Sequence, residues 1–529
     1  MGNRLGVLSI SLFALLFSIP ILIILLSLFN EYSETWFHIY NTVLDEYVLN
    51  SFILFLGVSV GVFILGVPTA WIVATSDFRF KKIISCALVL PFAVPPYIMA
   101  YSFTGLFDSY GTANELIRTA FDTTDNYVFF PSIRNIGGAI IVFSLTLYPY
   151  IYLISYNAFL NQSRDIFDVS RTLGLSKIKA FFKIGIPITR PAIVAGLMIV
   201  AMETLSDFGA VEHFAVPTFT TGIFRAWFGL YDLTTAKQLA ANLFIIFLVL
   251  IAIEKFSRRK INYINNSISN KNLTITKLKG KWESIAIAIC LIPIIFGFLI
   301  PCSQLLYWTI NYKLSFFDEN LLYTIFNSVY LALISGLFCI VIGTLINYLL
   351  RINKSKFLSL LNNIITLGYG IPGIVLSVGI LNFFLFLDQS LNVFLIGTVL
   401  GLIFAYSIKF YALPNSSIQS GLKKISPNLD DVTKTMGYSK IKLLLKVHVP
   451  LLRNSYLTGI LIFMIDVIKE LPMTLILRPF NFNTLSVSAY TYAADERMVE
   501  AAAPSIAIIM VCLIPIFFVF KSIKETTNE

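Results

Sequence analysis

The sequence has few of the residues on which soluble enzymes and metal sites depend. Only 13% of its 529 residues are charged, whereas a soluble domain carries about 25%. Three histidines show no HxxxH or HxH spacing, so no zinc site is indicated. Five cysteines form no CxxC pair and stand in apolar segments, as is typical of small buried side chains. No GxxxxGKS or GxxxxGKT sequence occurs, so a nucleotide that drives this protein would bind another polypeptide.

Long apolar segments are abundant instead. Hydrophobic residues make up 57% of the chain, and the mean hydropathy is +0.80. A membrane-spanning helix needs about 20 apolar residues, and this rule predicts an all-α polytopic membrane protein with about twelve spans. The predicted spans are 7–29, 51–75, 84–107, 137–160, 191–211, 238–256, 284–308, 326–350, 358–386, 392–415, 451–475 and 500–520. We expect the first to be retained rather than cleaved as a signal peptide, because its apolar run is too long.

Lysine and arginine are concentrated in alternate loops. The formal net charge is +10, and the loops between the basic ones are acidic or mixed. The positive-inside rule therefore predicts that both termini are cytoplasmic. Basic residues do not alternate with aromatic ones on a face, so the charge gives no indication of a nucleic-acid partner.

One polar, basic stretch occurs twice. Residues 168–196 and 431–459 align at an offset of 263 without a gap, and 12 of the 29 positions are identical. Unrelated stretches would share about two. The common pattern is an acid, two small residues, a base, Leu or Met two positions later, Gly, and a Pro thirteen residues after that Gly. Both copies lie between apolar spans, so they are predicted to be matching cytoplasmic loops.

The two loops resemble the EAA loop of the membrane subunits of binding-protein-dependent ABC importers, although both lack its Glu-Ala-Ala start. The resemblance implies the type I permease fold, the bacterial inner membrane and a cytoplasmic ATPase dimer onto which each loop docks. It assigns to ATPase coupling Asp168, Arg171, Gly174, Pro187, Asp431, Lys434, Gly437 and Pro450. Each glycine would allow a tight turn between two short helices, and each proline would begin the next helix.

The repeat extends beyond the loops. Asn50-Ser51 and Asn327-Ser328 correspond at an offset of 277, and the difference from 263 is assigned to the outer loop at about 108–134. We expect two parallel six-helix repeats related by a pseudo-two-fold axis along the membrane normal. Their predicted bounds are 1–256, with an EAA loop at 163–190, and 282–529, with an EAA loop at 418–453; residues 257–281 form a cytoplasmic linker.

Four acids stand inside apolar segments after the two loops. Glu203 corresponds to Asp466, and Asp207 to Glu470. The i, i+4 spacing places each pair on one helix face, and an ionisable residue inside a span suggests a functional site. The alternative is structural: an ion pair such as one with Lys469, or a helix-end cap. Four carboxylates around one axis would suit a hard cation, with phenolic oxygens from Tyr97, Tyr101, Tyr369 and Tyr490 as possible additions.

The segments 203–232 and 469–487 are similar to the ferric-iron branch of the importer family, whose permeases fuse two six-helix halves. That similarity implies a periplasmic ferric-iron-binding protein as partner and transient Fe(III) at the four acids, with no stable metal and no cofactor. Permeases for thiamine or phosphonate share the layout and stay open as alternatives. An ion-coupled secondary transporter is a further alternative, because paired intramembrane carboxylates suit it too. The chain is expected to transport and not to catalyse covalent chemistry.

Overall fold

The computed structural model describes residues 2–122, 129–160, 176–258, 276–314, 318–353 and 355–528. Helices dominate both halves. Those of the first half are Gly2–Leu26, Glu34–Thr42, Leu44–Thr75, Lys81–Ala87, Pro96–Phe107, Thr112–Phe121, Ile136–Leu160, Lys177–Ala180, Ile186–Ser206, Gly209–His213, Phe219–Phe224 and Leu233–Arg258. Those of the second are Lys281–Ile294, Ile300–Asn311, Glu319–Asn353, Lys356–Thr366, Gly373–Leu391, Val399–Phe410, Ala412–Lys424, Pro427–Thr435, Lys440–Leu443, Val449–Leu451, Arg453–Lys469, Pro472–Leu477, Leu485–Ala494 and Ala502–Asn528.

Several shorter elements interrupt or join these helices. The 3-10 turns are Ser27–Phe29, Leu90–Ala93 and Leu367–Gly370, and the π-helical turns are Phe181–Gly185, Arg225–Gly229, Ile295–Leu299 and Leu444–His448. Two strands, Ser76–Asp77 and Thr276–Lys277, pair in parallel. This pairing ties the end of the predicted linker to the first half; residues 259–275 of that linker lie outside the described part of the chain.

The described helices account for most of the predicted membrane spans. In the described residues, eight helices are long and apolar enough to cross a membrane, and two further pairs of helices pass the same test with a bend between them. Two shorter apolar helices, Val399–Phe410 and Ala502–Phe518, add to these. Together they give six segments in each half, so the fold is that of an all-α polytopic membrane protein with two repeats.

The third and ninth predicted spans are broken, which hydropathy alone does not indicate. Helical structure stops before Pro95 and Pro372, and new helices begin at Pro96 and Gly373. The two segments of the third span meet at 93°. Proline removes a backbone donor and restricts the preceding residue to extended conformations, so Val94 and Ile371 leave the helix. Such irregular backbone is tolerated within a membrane where it is buried in protein or lines a cavity.

Pro187 and Pro450 lie in the first turn of helices Ile186–Ser206 and Val449–Leu451, as the sequence predicts, but each of these helices continues directly from an earlier helical segment. Helical structure runs without a break from Lys177 to Ser206, and each proline closely follows a π-helical turn, Phe181–Gly185 or Leu444–His448. A proline inside a helix loses one hydrogen bond and clashes with an earlier carbonyl. The wider turn is present at the same aligned position in both repeats and gives the ring space. After it the helix continues to Ser206 in the first half, whereas in the second half it bends by 69° between Leu451 and Arg453.

The first helix of each half packs on the other half. Helix Gly2–Leu26 lies along Gly373–Leu391, and the segment that begins at Lys281 packs against helices of the first half. The approach at Gly379 is so close that a Cβ there would overlap the Pro20 carbonyl oxygen. The two halves are therefore interleaved, and buried residues from both form one continuous core.

Candidate functional site

The second repeated loop has the helix–turn–helix form that its glycine predicts. Helix Pro427–Thr435 ends at a turn in which Gly437 adopts a φ of +77°, a left-handed conformation that glycine adopts without steric cost. Ser439 then caps Lys440–Leu443 by accepting a hydrogen bond from the Lys442 N–H. Asp431 is exposed on the first of these helices. In the first loop, Asp168, Arg171 and Gly174 lie outside the described residues.

A buried ionic cluster holds the second loop against the transmembrane helices. Arg351, near the end of helix Glu319–Asn353, places its Nε 2.6 Å from Asp430 Oδ2. Its guanidinium also donates to the Leu422 and Ile425 carbonyls at 2.6 and 3.0 Å. On the other side of Asp430, His448 is fully buried, with Nε2 3.1 Å from Oδ1. Asp430 immediately precedes the loop's acid and lies in the first turn of helix Pro427–Thr435, so these contacts hold that turn against the transmembrane helices.

In the first half, aromatic packing joins the described residues on either side of the repeated loop. Trp71 lies beside Phe159 and Phe181, with ring centroids 5.2 and 5.4 Å away. A Cβ on Gly185 would come within 2.8 Å of the Trp71 ring. At the repeat offsets, Trp71 corresponds to Tyr348 and Gly185 to His448. The Tyr348 and His448 rings are also neighbours, with centroids 5.5 Å apart. Each half therefore pairs a larger side chain with a smaller residue at this position, and we call these two contacts the joints.

The four intramembrane acids occupy two kinds of position. Glu203 and Asp466 lie within helices Ile186–Ser206 and Arg453–Lys469, whereas Asp207 and Glu470 are the residues that end those helices. Asp207 Oδ1 accepts from the Ala210 N–H at 2.8 Å, and Glu470 Oε1 from the Met473 N–H at 3.3 Å. The expectation that each pair shares one regular helix face is therefore corrected, since the second acid has left the helix to cap the next one.

All four acids nevertheless line one cavity between the halves. Its volume is about 280 Å³, and both broken spans contribute to its wall. The polar and aromatic residues that line it are Phe92, Tyr97, Thr146, Tyr150, Glu203, Ser206, Asp207, Tyr369, Lys409, Phe410, Asp466, Lys469 and Glu470. The structure thus brings the predicted pathway acids together. Two of the predicted tyrosines, Tyr97 and Tyr369, also reach the cavity, while Tyr101 and Tyr490 are not part of its lining.

Two lysines neutralise the acids of the second half. Lys409 Nζ lies 2.7 Å from Glu470 Oε2, and Lys469 Nζ lies 3.6 Å from Asp466 Oδ1. Among the ion pairs between described residues, none includes Glu203 or Asp207. The sequence indicated Lys469 as a partner but Lys409 was missed, although a lysine in the apolar run FAYSIKFY is a signal of the same kind as an intramembrane acid.

The cavity holds four carboxylates against two ammonium groups, which leaves a formal charge of −2 when all are ionised. Phenolic oxygens add hydrogen-bonding capacity, since Tyr97 is buried and its hydroxyl has no hydrogen-bond partner in the described structure. Tyr150, which the sequence pattern did not single out, also contributes its ring. Within the described residues, no group of three or more His, Cys, Asp and Glu is placed to hold a metal ion. The cavity wall is therefore acidic and rich in oxygen atoms.

Comparison of the sequence with known proteins identifies the family of this chain. The sequence profile of the binding-protein-dependent transport system inner membrane component matches residues 66–254 and 339–525. These two matches cover more than half of the chain, so the protein belongs to that family and carries its domain twice. It is thus a fused, two-half permease of the binding-protein-dependent ABC importers, a multi-pass protein of the inner-membrane type.

Individual relatives differ in what their names say they transport. The chain is 21% identical over 481 residues to the Fe(3+)-transport system permease protein FbpB 2 of Haemophilus influenzae, covering 90% of each protein. It is 27% identical over 191 residues to the molybdate/tungstate permease WtpB of Methanocaldococcus jannaschii, covering 36% of this chain and 72% of that one. It is also 27% identical over 175 residues to the spermidine/putrescine permease PotB of Escherichia coli, covering 32% and 62%.

Proposed function

We propose that this protein is the permease subunit that imports ferric iron handed over by a periplasmic binding protein. The observation that carries the proposal is the acidic cavity between the halves, with four carboxylates and two lysines. Hard cations prefer oxygen ligands, and carboxylate and phenol oxygens are what this wall offers. The similarity to an Fe(3+) permease over 90% of both chains supports the same substrate.

Iron would pass through this cavity as cargo and not stay as a resident metal. A permeation site must bind its ion weakly enough to release it, and the capping bonds and ion pairs of the acids keep this wall from closing into a full coordination shell. Glu203 and Asp466 project from within their helices, whereas Asp207 and Glu470 are restrained at helix ends. We assign first contact with the cation to Glu203, because it has no cationic partner among the ion pairs of the described residues.

Transport would be driven by a separate pair of cytoplasmic ATPases. In this proposal the halves, 1–256 and 282–529, are joined by the linker 257–281, and both termini are cytoplasmic. The ATPases would engage the two repeated loops around Gly174 and Gly437, with Arg171, Lys434, Asp168 and Asp431 as surface contacts. Closure of the ATPase dimer would move the loops, rock the halves about their interface, and open the cavity alternately to each side.

An organic polycation is the second candidate. A cavity lined by acids and aromatic rings also suits amines, since aromatic faces attract ammonium groups, and PotB is a spermidine/putrescine permease by name. Its similarity covers only 32% of this chain, which favours iron. An oxyanion such as molybdate would be repelled by the excess negative charge. Thiamine and phosphonate remain solutes to be tested.

The decisive experiment is uptake into proteoliposomes that contain the permease, its ATPase and its binding protein. Labelled ferric iron should enter only with ATP, and spermidine, thiamine and a phosphonate should not. Glu203→Gln together with Asp466→Asn should abolish iron uptake while binding-protein-stimulated ATP hydrolysis persists. Gly437→Asp, in the loop, should remove both activities. ATP-dependent uptake of another solute would exclude iron as the substrate but keep the importer mechanism. Gradient-driven uptake without ATP would overturn that mechanism.

A further inference from the structure

The two lysines of the cavity are held in different ways. Lys409 makes a close bond, with Nζ 2.7 Å from Glu470 Oε2. Both groups press against helix Gly373–Leu391, since a Cβ on Gly373 would overlap Glu470 Oε1 and lie 2.7 Å from Lys409 Nζ. Glu470 is further fixed by the Met473 N–H. The short ion pair, the close backbone at Gly373 and the capping bond together make this pair part of the scaffold.

Lys469 lies between three weak partners. Its Nζ is 3.6 Å from Asp466 Oδ1, 3.4 Å from the Phe92 carbonyl oxygen and 4.0 Å from the centroid of the Phe92 ring. Strong charge-assisted hydrogen bonds are about 2.7–2.9 Å long, so neither oxygen holds the ammonium firmly. Asp466 belongs to the second half and Phe92 to the first. The Lys469 ammonium is therefore shared across the interface of the two halves.

We propose that Lys469 is an internal counter-cation that the transported cation displaces from Asp466. This inference rests on the proposed import of a cation. With the cavity empty, the Lys469 ammonium offsets the charge of Asp466, which would otherwise be buried without compensation. When a multivalent cation enters between Glu203 and Asp466, its larger charge attracts the carboxylate more strongly than a single ammonium does.

The displaced ammonium can stay bound to Phe92 alone. The Phe92 carbonyl is an acceptor, and the Phe92 ring face attracts a cation. The flexible side chain of lysine, with three donors on a compact charge, can make this exchange by rotation alone. No covalent bond changes and no proton is transferred. At the position of the first half that corresponds to Lys469, the chain has Ser206, so this exchange is confined to one side of the cavity.

Displacement also gives the cavity a means of release. While the cation is bound, Lys469 stays within reach of Asp466, and its return expels the cation once the pathway opens to the other side. A permease without this lysine should bind its cation more tightly and transport it more slowly. The same ammonium disfavours monovalent ions, which cannot outcompete it for one carboxylate. Lys469 thus selects for cations of higher charge.

Terbium(III) binding to the purified permease tests the proposal without depending on iron. Terbium is a hard trivalent cation, and tyrosine rings close to it sensitise its luminescence; Tyr97, Tyr150 and Tyr369 line this cavity. Lys469→Gln should bind terbium about tenfold more tightly or better, a change that corresponds to a modest gain in binding free energy. Lys469→Arg, which keeps the charge, should bind as the native protein does.

Two further variants and a transport assay complete the experiment. Lys409→Gln, which removes the other ammonium, should not tighten binding by the Lys469 mechanism and should lower thermal stability instead. Glu203→Gln with Asp466→Asn should lose the sensitised signal. In proteoliposomes, Lys469→Gln should lower the maximal rate of iron uptake together with the half-saturating concentration.

The outcomes separate this inference from the proposed substrate. Unchanged terbium affinity in a folded Lys469→Gln protein overturns the counter-cation, even if iron is transported. An equal gain in terbium affinity in Lys409→Gln also overturns it, because the gain would then come from removing any positive charge from the cavity. A gain in terbium affinity confined to Lys469→Gln, with no iron uptake by the native protein, supports the counter-cation and excludes iron as the substrate.

Discussion

The two halves share a backbone framework but differ in their charges. In both, an asparagine near the start of the second span holds a distant loop: Asn50 donates to the Pro217 carbonyl at 3.0 Å and Asn327 to the Asn483 carbonyl at 3.1 Å. The carbonyl of each cavity-side capping acid also accepts from a hydroxyl further along the chain. Thr220 donates to Asp207 at 2.6 Å, and Ser486 to Glu470 at 2.9 Å.

The second half carries three partly buried cations at positions where the first half has uncharged residues. Lys409, Lys469 and Arg351 correspond at the repeat offsets to Thr146, Ser206 and Ala74. The backbone bonds satisfy groups that every copy of the fold buries, so both copies retain them. A buried charge is stable only with its partner. A half that has a buried cation therefore also needs the acid that neutralises it. The comparison indicates that the first half provides acids without a cationic partner among the described ion pairs, whereas each acid of the second half is paired with a lysine.

Glu470→Gln should have the largest effect on stability. It leaves the Lys409 ammonium buried beside an uncharged amide, and removing one partner of a buried pair costs about 3–5 kcal/mol. Asp207→Asn in the first half should cost no more than about 1 kcal/mol, because no cation is orphaned and asparagine caps nearly as well as aspartate. Thermal unfolding of the purified permease in detergent measures both.

A control variant separates charge from shape in that experiment. Replacing the whole pair, with Lys409→Met and Glu470→Met together, should recover most of the lost stability, since well-packed apolar residues can replace a buried ion pair. Equal destabilisation by Glu470→Gln and Asp207→Asn would contradict the asymmetry of the two walls.

Arg351→Ala should have the next largest effect. It removes the donors to Asp430 and to two loop carbonyls, and leaving such charged and polar groups unsatisfied costs about 2–3 kcal/mol. The second loop should loosen, so that ATP hydrolysis no longer depends on transport. Lys356→Ala removes an exposed charge of the same sign nearby and should leave coupling intact. If both variants uncouple hydrolysis to the same degree, the cluster does not position the loop.

Gly185→Ala should have the smallest effect of the three. The new Cβ would lie 2.8 Å from the Trp71 ring, and overpacking of this kind costs about 1–2 kcal/mol. Gly185→His alone should be worse, whereas Gly185→His combined with Trp71→Tyr, which recreates the pair found in the second half, should be partly rescued. A double-mutant cycle of unfolding temperatures measures the coupling. Strict additivity would show that the two joints are not equivalent.

The sequence predicted the repeated features well and the irregular ones poorly. Six apolar segments per half, the turn at Gly437 and the convergence of four acids follow from hydropathy, glycine spacing and the repeat. The breaks at Pro95 and Pro372 and the π-helical turns before Pro187 and Pro450 did not, because hydropathy registers composition and not the hydrogen bonds that a proline removes. For the acids, a helix-end cap was only the alternative interpretation, yet Asp207 caps a helix.

The amino-acid sequence by itself determined that this is a duplicated membrane protein with two matched loops and two matched pairs of acids, since apolar length and internal repetition are properties of the chain alone. Only the tertiary structure decided which acids are compensated. Lys409 is 61 residues from Glu470, and Phe92 is 377 residues from Lys469. Whether a buried charge has a counter-charge depends on distances through space, which the packing of the two halves sets.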